Sequence, residues 1–308
     1  MTSRKLNSAL ARKIIDSVDN FLFDCDGVLW ETNKEIPGSA ETVNLLRKLG
    51  KKIFYITNNS GKTRSQYMEK CKSLGFHATE DDIICTSHAA ALYIKSQNIQ
   101  GKVYCVGNPS MGLELDSFGI PHFGIGPDMV PGTHEQTDLI KTVKLDPEVK
   151  CVLVGFDPHL SYLKITKAAS YARRPGTLFV ATNEDTHLPV AGDVVVPGTG
   201  AVVGAIKIPA RKQPIVVGKP SSIMFDLLKK EHNLDPSKCM MVGDRCDTDI
   251  HMAGVCGMES LLVFTGNMTH DKLNDLQSSA NSDESKLDLP KYYCDKLGDF
   301  GNFIQQFI

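Results

Sequence analysis

Two acids two residues apart, Asp24 and Asp26, follow the apolar run Phe21-Leu22-Phe23 and precede Gly27. A short bulky run that ends in a turn signal predicts a buried strand of a parallel sheet, with both acids at its carboxyl end. Residues i and i+2 of a strand face the same way, so the two carboxylates crowd one site at the edge where α/β sheets bind ligands. Like charges that close need a cation or a shared proton. A calcium loop of the EF-hand kind also begins with this spacing, but Gly27 comes too early in the loop for it. Standing alone, the pair also suits a strand end where two acids cap a turn and do nothing else.

The decision lies downstream. Thr57, Asn58 and Asn59 follow the apolar stretch 52–56, Lys219 follows 215–218, and Asp244, with Asp249 close behind, follows 240–243. Each has a bland alternative: Thr57 as a helix cap, Asn59 as a turn residue, Lys219 as a surface charge, Asp244 and Asp249 as solvated or capping acids. Together, each at the carboxyl end of a predicted parallel strand, they are what a phosphate and metal site requires.

The elements that must carry these residues alternate. Strand 21–23, helix 39–49, strand 52–56, helix 63–74, strand 83–86 and helix 87–96 read as successive βαβ units, hence a parallel sheet with right-handed crossovers. From 102 the scheme restarts, with strands at 103–107, 151–155 and 178–181 and helices near 113–115, at 162–173 and after Gly198. The expected organisation is a Rossmann-like, doubly wound α/β core, residues 1–101 and 208–308, interrupted by an inserted α/β domain at 102–207. Strands at 215–218, 240–243 and 261–264 return to the core, and 277–286 reads as a polar surface loop. Residues 4–15 form an amphipathic, basic segment that imitates an organellar presequence and is more simply a packing helix.

With 308 residues, 42% hydrophobic and 23% charged, the composition is that of a globular protein large enough for two packed units. A net charge of −2 leaves no basic field to gather nucleic acid or anionic lipid, so a small-molecule partner is expected. Nine cysteines without C-x-x-C spacing fit a reducing, cytoplasmic setting, and no apolar run reaches membrane-spanning length.

The set Asp24-x-Asp26-Gly27, Thr57-Asn58-Asn59, Gly218-Lys219-Pro220 and Gly243-Asp244 with Asp249 resembles the four motifs of the haloacid dehalogenase superfamily, in order along nearly the whole chain. More narrowly, it resembles the phosphoglycolate, glycerol-3-phosphate and 4-nitrophenyl phosphatases and their relatives, the pyridoxal phosphatases. The resemblance implies Asp24 as nucleophile and Asp26 as the acid and base, with Lys219 screening charge. Gly27, Thr57, Asn58 and Asn59 would hold the phosphate. Magnesium would be held by Asp24, Asp26 through its carbonyl, and Asp244, with Asp249 in its outer sphere.

A second acid at position 26 favours a phosphatase or mutase over a dehalogenase. The insert corresponds to a substrate cap, implying small substrates and a homodimer through the cap. Its loop residues Asn183, Asp185, His187 and Leu188 would read the substrate; Leu188 stands where pyridoxal phosphatases have histidine, which favours phosphoglycolate or glycerol 3-phosphate over pyridoxal 5′-phosphate. A catalytically silent member acting by protein association is the alternative of another class.

Overall fold

The computed structural model describes residues 3–128, 141, 143–188 and 193–308, which fold as α/β. Two compact units share them: residues 1–57, 64–84 and 219–308 form one, and 58–63 with 85–218 the other. The expected division lay at 102 and 207. It came out wider because helix Thr86–Ser96 packs on helix Pro109–Ser117, and strand Ile215–Val216 pairs with Leu178–Ala181. Local sequence cannot reveal either choice of partner.

The first unit is built on a seven-stranded sheet. In spatial order the strands are Arg4–Lys5, Tyr292–Cys294, Glu259–Val263, Cys239–Gly243, Asn20–Phe23, Lys52–Thr57 and Ile83–Cys85. Neighbours from the Arg4 edge to Lys52–Thr57 pair in parallel. The chain steps outward one way from Asn20–Phe23 and the other way from Cys239–Gly243. The topological switch therefore falls between those two strands, where open α/β sheets leave a ligand crevice. Phe23 is in register with Val242 on one side and Tyr55 on the other, which sets Asp24 level with Gly243 and Ile56, one residue short of Asp244 and Thr57, at the sheet's carboxyl edge.

Burial explains why this strand is central: Phe21, Leu22 and Phe23 are fully buried. Phe21 lies 6.1 Å from Phe300 of helix Leu297–Gln305, which packs on helices Ser39–Lys48 and Ser8–Ser17. The second unit has its own five-stranded parallel sheet, Ile215–Val216, Leu178–Ala181, Val149–Val154, Lys102–Val106 and His122–Phe123, over a core that includes Tyr104, Val152, Phe179 and Val203.

Three local expectations are corrected. Residues Arg4–Lys5 are a strand pairing with Tyr292 and Tyr293, and the helix starts at Ser8, where the Asn7 side chain accepts the Leu10 N–H. The segment 277–286 is not a loop: helix His270–Ser279 runs through its start, and a short helix, Asp283–Lys286, is capped by Ser282. Strand Ile215–Val216 belongs to the second sheet, so Lys219 does not sit at the end of a core strand.

Candidate active site

Asp24 leaves the central strand with its N–H donating to Val242 O, so its backbone is locked between the two strands of the switch point. The next turn folds back on itself: Gly27 N–H donates to Trp30 O at 2.9 Å, and Gly27 O accepts from Thr265 Oγ1 at 2.6 Å. Gly27 adopts φ +89°, a conformation that side chains resist, and a Cβ there would stand 2.8 Å from Asp244 Oδ2. A Cβ on Gly266 would stand 2.0 Å from the same oxygen. Two glycines thus make room for one carboxylate.

Asp24, Asp244 and Asp249 bring carboxylate oxygens within 4.8 Å of one another, all buried. Lys219, also buried, donates to Asp24 Oδ1 at 2.6 Å, to Asp249 Oδ1 at 2.7 Å and to Ile56 O at 3.3 Å. Three carboxylates against one ammonium leave a formal excess of two negative charges when all are ionised. Burial, reinforced by the charges of Asp244 and Asp26 against the pull of Lys219, pushes Asp24 up to about 7. Burial, with Asp24 adding to it and Lys219 opposing it, pushes Asp249 up to about 6. Burial and Asp249 raise Asp244. For Lys219, burial alone would lower the value, but Asp24 and Asp249 outweigh it and hold the ammonium well above its ordinary range.

A divalent cation fits this donor set on an independent observation. Asp244 Oδ2 accepts from the Asn267 N–H at 2.7 Å and from Asn267 Nδ2 at 2.9 Å, whereas Asp244 Oδ1 is buried with no hydrogen-bond partner among the described residues. An orphaned carboxylate oxygen on a residue grouped with two further acids is unfavourable without a cation and ordinary with one; the all-oxygen set suits magnesium. Asp249, expected in an outer sphere, lies within the carboxylate group itself, on a π-helical turn, Cys246–Ile250, with Oδ2 accepting from Arg245 N–H. Asp26 stands apart: its Oδ1 accepts from the Trp30 indole Nε1–H at 2.9 Å, and Lys70 Nζ is 3.8 Å from that oxygen.

The expected phosphate ligands are divided between the two units. Thr57 ends its strand in the first unit and is buried. Gly27 has no amide to spare, because that N–H is spent on Trp30 O. Asn58 and Asn59 belong to the second unit, where Asn58 Nδ2 donates to Asp185 Oδ2 at 3.1 Å and Asn59 Oδ1 accepts the Gly61 N–H of its own turn. In the loop of the second unit, Asn183 is buried and also donates to Asp185 Oδ2, at 2.6 Å. His187 is exposed and bonds Thr186 Oγ1, while Leu188 is half-buried; Pro189 lies outside the described residues. Trp30 is wholly buried, edge-on to Phe76 at 5.7 Å. Asn267, Gly266 and Lys70 are the participants that no motif announced.

Comparison with known proteins gives two matches to family models, haloacid dehalogenase-like hydrolase over residues 21–121 and HAD-hydrolase-like over 216–299. The chain is 39% identical over 306 residues to glycerol-3-phosphate phosphatase of Rattus norvegicus, covering 96% of this chain and 94% of that protein. It is 39% identical to chloroplastic phosphoglycolate phosphatase 1A of Arabidopsis thaliana, covering 97% and 80% respectively. Among solved structures, a p-nitrophenyl phosphatase from Archaeoglobus fulgidus superposes with a TM-score of 0.77 at 28% identity, covering 93% of this chain and 99% of that one.

Proposed function

The chain belongs to the haloacid dehalogenase-like hydrolases, as a phosphatase, and from that premise we propose that it hydrolyses small alkyl phosphate monoesters, glycerol 3-phosphate or 2-phosphoglycolate, at the Asp24 cluster. The observation that carries this reading is the buried group of Asp24, Asp244 and Asp249 spanned by Lys219, with Asp244 Oδ1 unsatisfied, at the switch point of a parallel sheet. The substrate class follows the relatives' activities.

Asp24 attacks phosphorus in line; its O–P bond forms as the ester P–O bond breaks, and the departing oxygen takes its electron pair and a proton from Asp26. The Asp26 carboxylate then removes a proton from water, whose oxygen attacks phosphorus and releases inorganic phosphate and Asp24. Lys219, fixed between Asp24 and Asp249, offsets the repulsion between Asp24 and the incoming phosphate. Thr57 supplies a hydroxyl to the transferring oxygens. When bound by Asp24 and Asp244, with Asp249 beside them and the Asp26 carbonyl as the expected further ligand, magnesium supplies charge neutralisation to the phosphoryl group. The second unit acts as the cap, with Asn183, Asp185, His187 and Leu188 in its substrate loop.

Among the described residues no cysteine forms a disulfide, in keeping with the reducing, cytoplasmic setting that we infer, and no helix is long and apolar enough to cross a membrane. A homodimer through the second unit is the expected assembly, which sedimentation would test. For the activity itself, purified protein is assayed on glycerol 3-phosphate, 2-phosphoglycolate and pyridoxal 5′-phosphate with magnesium or chelator. Magnesium-dependent turnover that favours the first two and vanishes in Asp24→Asn is expected. Turnover that survives Asp24→Asn defeats the assignment, and a preference for pyridoxal 5′-phosphate defeats the substrate class.

A further inference from the structure

We propose that Trp30 and Lys70 are positioning residues that hold Asp26 by one oxygen, so that Oδ2 is the atom that delivers the proton to the leaving group. The inference rests on the reading of Asp26 as the acid. Both recorded side-chain contacts of Asp26 fall on Oδ1: the Trp30 Nε1–H at 2.9 Å and the Lys70 ammonium at 3.8 Å. A proton on Oδ1 would point at two donors, so the proton of the neutral acid belongs on Oδ2.

The holder is itself held. The Trp30 side chain is fully buried, its ring is covered by Lys70 Nζ at 4.4 Å from the centroid, and Phe76 packs against it edge-on. Its backbone closes the same turn, accepting from Gly27 N–H. Lys70 comes from helix Arg64–Ser73 and keeps its side chain mostly buried. An aspartate with a free χ2 presents either oxygen; this one is keyed to a fully buried, closely packed side chain.

The test uses leaving groups of different basicity. An alkoxide must be protonated as it departs, whereas 4-nitrophenolate leaves unaided, and kcat/KM counts only steps up to that departure. Trp30→Phe removes the N–H and keeps an aromatic ring; Lys70→Met removes the charge and keeps the apolar stem. For each, kcat/KM toward glycerol 3-phosphate is expected to fall roughly 10–100-fold, and toward 4-nitrophenyl phosphate at least about fivefold less than that. Lys70→Arg should restore most of the loss. Because both substrates are read on one preparation, a folding defect appears as equal losses, and equal losses overturn the proposal.

Asp26→Asn separates the two levels of the argument. If it lacks the leaving-group discrimination, the acid assignment falls; if it shows it while the Trp30 and Lys70 variants do not, only the positioning role falls. Trp30 is the only tryptophan, so its single indole N–H resonance reports the bond directly. That resonance should move upfield in Asp26→Ala, and an unmoved resonance overturns the proposal.

Discussion

Asp24 is costly to keep ionised in the metal-free protein, since burial leads the causes that lift it from 3.8 to about 7. A carboxyl whose folded value lies above its unfolded one contributes stability in full below the unfolded value, and that contribution is lost as pH rises through the folded value. Under chelator above about pH 8, Asp24→Asn should therefore melt no lower than the parent chain, and magnesium should raise the parent's melting temperature more than the variant's. A parent that melts higher than Asp24→Asn under chelator would show that its carboxylates are not in conflict. Gly266→Ala acts on another carboxylate of the group by driving a methyl into Asp244. Its magnesium requirement, read from activity titrations, should rise about 10–100-fold, the usual effect of disturbing a ligand's supports.

The central strand joins packing to chemistry, because Phe21 and Phe23 share one face, their rings 6.1 Å apart, and Asp24 follows directly. Phe23→Ala should cost about 3–5 kcal/mol in urea unfolding, with activity lost beyond what the unfolded fraction explains. This strand, like those at 52–57 and 239–243, was legible because a buried parallel strand must be apolar throughout and its end must turn. Arg4–Lys5 was not legible: two exposed polar residues carry no strand signal, and only the edge offered by Tyr292–Cys294 orders them. The helices over 270–286 were obscured by polar composition, since one face of each meets solvent and side-chain caps at Thr269 and Ser282 do the starting. Within the site, motif spacing marked the acids and Lys219. Asn267 and Lys70 escaped because their contacts are set by tertiary approach, and nothing in their local sequence differs from a solvated surface.

At the scale of the molecule, the second unit is a nearly continuous stretch with its own sheet and core, whereas the first is assembled from three separated stretches. A fragment spanning residues 85–218 should therefore fold alone, giving dispersed amide resonances and a single cooperative melt. Broad resonances and a gradual melt would mean that its core depends on the rest of the chain.

The three-part make-up of the first unit also bears on biogenesis. The strand that precedes Asp24 leaves the ribosome well before its neighbour Cys239–Gly243, which follows only after the whole second unit, roughly 10–40 s later at ordinary elongation rates. During that interval Phe21, Leu22 and Phe23 have Lys52–Thr57 on one side and an unpaired apolar edge on the other. Newborn chains must therefore wait with the strand that leads to Asp24 exposed. Chaperone engagement, premature termination before residue 239 and sluggish translation through the middle of the message all act on that one open edge.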